Sequence, residues 1–75
     1  MPSLREQLTQ ARDHVLQVQK RIEAQTMLID RLRADGHDTA MAEQLLATFI
    51  DLMTKLTLHR DSLEREAEER AQISD

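Results

Sequence analysis

From Leu4 onward, apolar residues recur in alternating steps of four and three: Leu4, Leu8, Ala11, Val15, Val18, Ile22, Ile29 and Leu32, with Gln25 the one polar member of the series. A strand repeats every second residue, so it scatters such a series over both faces. An α-helix gathers it into one stripe. The pattern is the a/d seam of a coiled coil, and it obliges this helix to pack against another helix. With Leu4 at d, residues Leu8, Val15, Ile22 and Ile29 fall at a, so the a positions are mainly β-branched.

The flanking residues mark where this helix starts and stops. Ser3 followed by Glu6 has the spacing of a capping box, in which the serine oxygen accepts from an unpaired first-turn amide. Gly36 can take the left-handed conformation that closes helices, and Arg31 and Arg33 stand in the last turn, where the helix dipole favours cations. Helix 1 is therefore expected over about residues 4–34 and a turn over about 35–38. Helix 2 is expected over about 39–71, capped by Asp38 or Thr39, within a single domain spanning 1–75. A linker of this length joins antiparallel helices.

Helix 2 carries Ala42, Leu45, Phe49, Leu52, Leu56, His59 and Leu63 at seam spacing, with a further apolar column at Leu46, Met53 and Ala67. A two-column stripe serves one neighbour, whereas three columns serve two. Helix 1 is one neighbour, and a second chain is expected to supply the other. Folding about residues 35–37 sets Ile22 near Phe49, Val18 near Met53, Val15 near Leu56 and Leu8 near Leu63. Leu16, Met27, Leu28, Ile50 and Leu58 add apolar surface outside that seam. The expected fold is all-α, a two-helix antiparallel hairpin that dimerises into a four-helix bundle. Its interface residues are Leu8, Val15, Val18, Ile22, Gln25, Ile29, Leu45, Leu46, Phe49, Leu52, Met53, Leu56 and Leu63.

Composition removes competing classes. The chain has 75 residues and no cysteine, so disulfides, cysteine-rich zinc modules and cysteine nucleophiles are excluded. One glycine, one proline and Phe49 as the sole aromatic argue against a small sheet protein. No apolar run is long enough for a signal peptide or membrane span, so a cytoplasmic location is expected. A net charge of −4 speaks against general affinity for nucleic acid or anionic lipid. The charge is uneven: Arg5, Arg12, Lys20 and Arg21 outnumber acids near the start, while Glu64, Glu66, Glu68 and Glu69 dominate the end. The hairpin lays these two stretches side by side. Glu66 with Arg70 and Arg65 with Glu69 have i,i+4 spacing, which extends a solvated helix, and residues 73–75 are expected to fray.

The stretch from Ile29 to Leu63 contains Arg31-Leu32-Arg33, Gly36-His37-Asp38-Thr39, Ala42-Glu43, Leu45-Leu46, Phe49 and His59-Arg60. In these it resembles a group of short uncharacterised bacterial proteins that share a GHDT turn between two helices. The resemblance covers about half the chain, implies a bacterial cytoplasmic helical hairpin, and brings no function with it.

His14 and His59 fall near one level of the hairpin, with Asp13 and Asp61 close by, but with His14 at g and His59 at d no ligand set converges as in bundle metal sites. His59-Arg60-Asp61 invites a phosphotransfer reading, which an exposed histidine and a kinase domain would have to accompany. The periodicity puts His59 on the apolar seam instead. Arg31, Arg33 and His37 form the one basic cluster, without an aromatic to stack a base. There is no phosphate loop, no nucleophile beside a base, and no room for a dry pocket in a two-helix rod. The sequence therefore predicts a non-catalytic protein without cofactor or metal. It acts through self-association or by binding another helical protein, and the alternative is a small nucleic-acid-binding regulator built on the same bundle. Gln25 is expected to set register by pairing with its own copy, with a threonine on helix 2, or with solvent.

Overall fold

A computed structural model describes residues 1–73 and consists of two helices joined by one turn. Helix α1 runs Leu4–Ala34 and helix α2 runs Ala40–Ile73. Ser3 caps α1 in an extended conformation, and its Oγ accepts from the Glu6 amide at 3.1 Å. The other end closes through two backbone bonds: the His37 amide donates to the Leu32 carbonyl at 2.9 Å and the Gly36 amide to that of Arg33 at 3.1 Å. This 6→1 and 5→2 pair is a Schellman motif, and it requires its penultimate residue to be left-handed. Gly36 has φ 78°, and it is the sole residue of positive φ among those described.

Helix α2 begins one residue later than the sequence implied. Thr39 stands at the cap position, its carbonyl accepting from the Glu43 amide at 2.9 Å, while the Asp38 carboxylate accepts from the Ala40 amide at 3.0 Å. Both candidate caps contribute, one through backbone and one through side chain. The helix also continues two residues past 71, with Glu66 and Arg70 paired at 2.8 Å along its surface. Of the residues expected to fray, Ser74 and Asp75 lie outside those described.

The helices pack against each other as an antiparallel hairpin, giving a rod of 61 × 20 × 14 Å. Its radius of gyration is 17.3 Å, against about 11 Å for a compact domain of this length. On α1 every member of the four-three series faces inward: Ala11, Val15, Val18, Gln25 and Ile29 are buried, and Leu4, Leu8, Ile22 and Leu32 are half-buried.

On α2 the inward columns are Ala42, Phe49, Leu56 and Leu63 together with Leu46, Met53, Arg60 and Ala67. This corrects the expected phase: Leu45, Leu52 and His59 are exposed, and the column one residue on takes their place. The exchange is possible because Arg60 lays its aliphatic stem along the seam. Its guanidinium bonds the Asp61 carboxylate through Nε at 3.1 Å and Nη2 at 2.9 Å.

Among the described residues of α2 Leu63 alone is buried, and no described side chain is wholly shielded from solvent. Phe49, expected at the heart of the seam, is half-buried. A two-helix rod has an inner line but no enclosed interior, so a ring on that line keeps an edge in water.

Candidate interaction surface

Polar contacts of Arg33, Gln25 and Arg12 cross between the helices and hold the hairpin closed. Near the turn, Arg33 Nη2 meets Glu43 Oε1 at 3.0 Å, and toward the open end Arg12 Nε meets Glu64 Oε1 at 3.3 Å. The second pair realises the expected meeting of basic start and acidic end. Between them in sequence, Gln25 Nε2 donates to the Ala42 carbonyl of α2 at 2.9 Å. That partner corrects the expectation of a self-pair or a threonine. The hydroxyls of Thr48, Thr54 and Thr57 are engaged by carbonyls of their own helix one turn back, so none is offered to Gln25. No buried side-chain nitrogen or oxygen among the described residues lacks a partner.

The ion pairs also give the rod two unlike flanks. Arg12 and Arg33 follow the seam residues Ala11 and Leu32, and Glu43 and Glu64 follow Ala42 and Leu63, so all four stand on one side of the seam. Each residue turns the helix by about 100°, so the residues preceding the other seam column stand on the opposite side. On α1 these are His14, Arg21 and Leu28, before Val15, Ile22 and Ile29. On α2 they are Leu45, Leu52 and His59, before Leu46, Met53 and Arg60. Leu28, Leu45 and Leu52 thus share one flank, toward the turn, and are 43%, 45% and 41% exposed. Of the other exposed large apolar residues, Ile50 and Leu16 stand on the charged side, and Met27 and Leu58 on the outer faces of the rod.

The sequence-derived interface residues therefore divide. Val15, Val18, Gln25, Ile29 and Leu63 are buried in the hairpin itself, and Leu8, Ile22, Leu46, Phe49, Met53 and Leu56 are half-buried there. Leu45 and Leu52 are left open to solvent. Leu28 completes their flank, although it stands outside the four-three series that marks the interface. Its signal was its position immediately before Ile29, which matches Leu45 before Leu46.

The remaining candidates resolve simply. His14 and His59 are both exposed and share the apolar flank, so the expectation that His59 occupies the seam is overturned by the phase of α2. Among the described residues no three histidine, aspartate or glutamate side chains come together as a metal-binding group. At the turn, Arg33 is engaged by Glu43 and, at 4.0 Å, by Asp30, which offsets the charge of the small basic cluster. No helix among the described residues is long and apolar enough to cross a membrane. A surface hollow of about 550 Å³ lies at the open end between Met1, Leu4, Gln7, Glu66 and Arg70 and is open to water. Comparison with family models, with curated proteins and with solved structures finds no match to this chain.

Proposed function

We propose that this chain is a non-catalytic helical interaction protein that works as a homodimer, two hairpins pairing into a four-helix bundle that serves as a small scaffold or regulatory partner. One observation carries the reading. The hairpin exposes 6027 Å², whereas a compact monomer of 8.7 kDa exposes about 4,700 Å². The excess, roughly 1,300 Å² per chain, is larger than the ~800 Å² that each partner gives up in a standard stable interface. It is matched by an apolar flank that no described residue covers.

A cytoplasmic, bacterial setting belongs to the same proposal. Nucleic acid is disfavoured as the partner by the pairing of Arg33 with Glu43 in the turn cluster and by the net charge of −4. Sedimentation equilibrium at micromolar concentration tests the reading. At least twice the chain mass of 8.7 kDa is expected, and a monomer that retains full helicity overturns it.

A further inference from the structure

The two flanks of the rod differ in what each offers a second copy. The flank of Arg12, Arg33, Glu43 and Glu64 is already satisfied by ion pairs, and covering it would strip water from four charges for no new partner. The opposite flank has Leu28, Leu45 and Leu52 toward the turn, and His14 and His59 toward the open end, with Arg21 and Glu66 its charged members and Arg31, Lys55 and Glu69 along its outer edge. Neither ion pair between the helices stands on this side. Its apolar portion is not central: Leu28 stands nine residues turnward of residue 19, the midpoint of α1.

That offset decides the orientation of a dimer. If two hairpins overlap fully with their turns at opposite ends, the Leu28 and Leu45 level of one faces the residue-10 level of the other. That level lies between Gln7 and His14 on α1 and between His59 and Glu66 on α2. Leucines would then be buried against polar groups at two places. If the turns lie at the same end, each α1 lies against the α2 of the other copy, antiparallel to it. Leu28 then meets Leu45, Leu52 meets the aliphatic stem of Arg21, and His14 meets His59. Apolar surface is buried against apolar surface, worth about 25 cal/mol for each Å² removed from water. The Arg21 head and Glu66 keep their water at the rim.

Building on the self-association proposed above, we infer that the dimer forms through the Leu28, Leu45 and Leu52 flank with both turns at the same end. Its two-fold axis runs along the rod, and a layer of four histidines forms from His14 and His59 of each copy. Every neighbouring pair of helices in such a bundle is antiparallel, as it also is with the turns opposed, so the offset of the leucines alone decides the orientation.

Spin labels test this cleanly, because the chain has no cysteine of its own. His37→Cys labels the turn and Arg5→Cys the open end, both at exposed positions. With turns together, both labels give intermolecular distances below about 30 Å. With turns opposed and full overlap, the Arg5 labels stand about 40 Å apart along the axis, and farther if the rods are staggered, at about 1.5 Å per residue.

A second arm reads the surface directly. Leu45→Glu or Leu52→Glu is expected to weaken association by about a hundredfold, the effect of placing a carboxylate in a desolvated contact. Ile50→Glu, on the charged flank, is expected to change it by less than about threefold. A dimer with a long Arg5 distance, or one disrupted by Ile50→Glu and indifferent to Leu45→Glu, overturns this geometry while leaving self-association standing. A monomeric wild-type chain overturns both.

Discussion

Replacing Gln25 gives the most informative perturbation, because opposite outcomes are expected from two substitutions at one atom group. The residue is 9% exposed and its amide makes one inter-helix bond, Nε2 to the Ala42 carbonyl at 2.9 Å. That carbonyl also belongs to the α2 ladder, where it accepts from the amide four residues on, so removing the glutamine does not orphan it. In Gln25→Leu the lost bond costs about 0.5 to 1.5 kcal/mol. Burying a leucine at nine-tenths shielding returns about 1.5 to 3 kcal/mol. The net gain is about 1 kcal/mol, or roughly 4 to 8 °C in Tm for a domain of this size.

In Gln25→Ala the bond is lost and a gap is left, so a loss of about 2 kcal/mol is expected. Thermal melts by circular dichroism at fixed protein concentration, with urea titrations to confirm an unchanged m-value, measure both. Native mass spectrometry of Gln25→Leu should show a broader spread of oligomers, since leucine accepts any register that the amide–carbonyl bond rejects. A Gln25→Leu chain less stable than wild type would falsify the ledger, and would mean the bond to Ala42 is worth more than the burial that replaces it.

Gly36→Ala should cost about 1 kcal/mol, read as a lower Tm. Its φ of 78° disfavours any Cβ, although the space around it is empty, and Gly36→Asn should cost less, since asparagine tolerates this conformation. Phe49→Ala is expected to remove about 2 to 3 kcal/mol by urea titration. That is less than the 3 to 5 of a fully enclosed ring, because Phe49 is only half-buried; a shift of one or two degrees would show that the ring does not lie in the seam. Arg12→Ala should change stability by less than about 0.5 kcal/mol, since its pair with Glu64 is solvated at side-chain exposures of 57% and 37%. A larger loss in a double-mutant cycle with Glu64→Ala would show that the contact is more than a surface pair.

Much of the hairpin was legible because α1 presents a single four-three series with no competing phase. Each of its nine positions, from Leu4 to Leu32, faces inward as spaced, and the Ser3 cap and Gly36 stop stand where their residue types require. In α2 the same rule was ambiguous. Leu45 and Leu46 are both apolar, as are Leu52 and Met53, so two phases differ by one residue and the choice falls on His59 against Arg60. Polarity alone favoured the histidine. The structure takes the arginine, whose long stem packs while its charged end reaches Asp61. The partner of Gln25 was beyond reach for a different reason: it is a backbone carbonyl, which no letter of the sequence distinguishes from any other.

A single reversal of direction at Gly36 also dictates an order of events in time. The cross-helix contacts are spaced along the chain by their distance from that point: Arg33 to Glu43 spans 10 residues, Gln25 to Ala42 spans 17, and Arg12 to Glu64 spans 52. Closing the longest of these directly costs about 1.5 kcal/mol more in chain entropy than closing the shortest. Once the turn is made, each further contact closes only the few residues beyond the last. Folding therefore proceeds as a zipper from the turn outward, and the two chain ends are the last to join and the first to part. Amide hydrogen exchange should record this as protection that declines from the turn-proximal halves of α1 and α2 toward Leu4 and Ile73. A profile with its slowest amides at the open end would reverse the order.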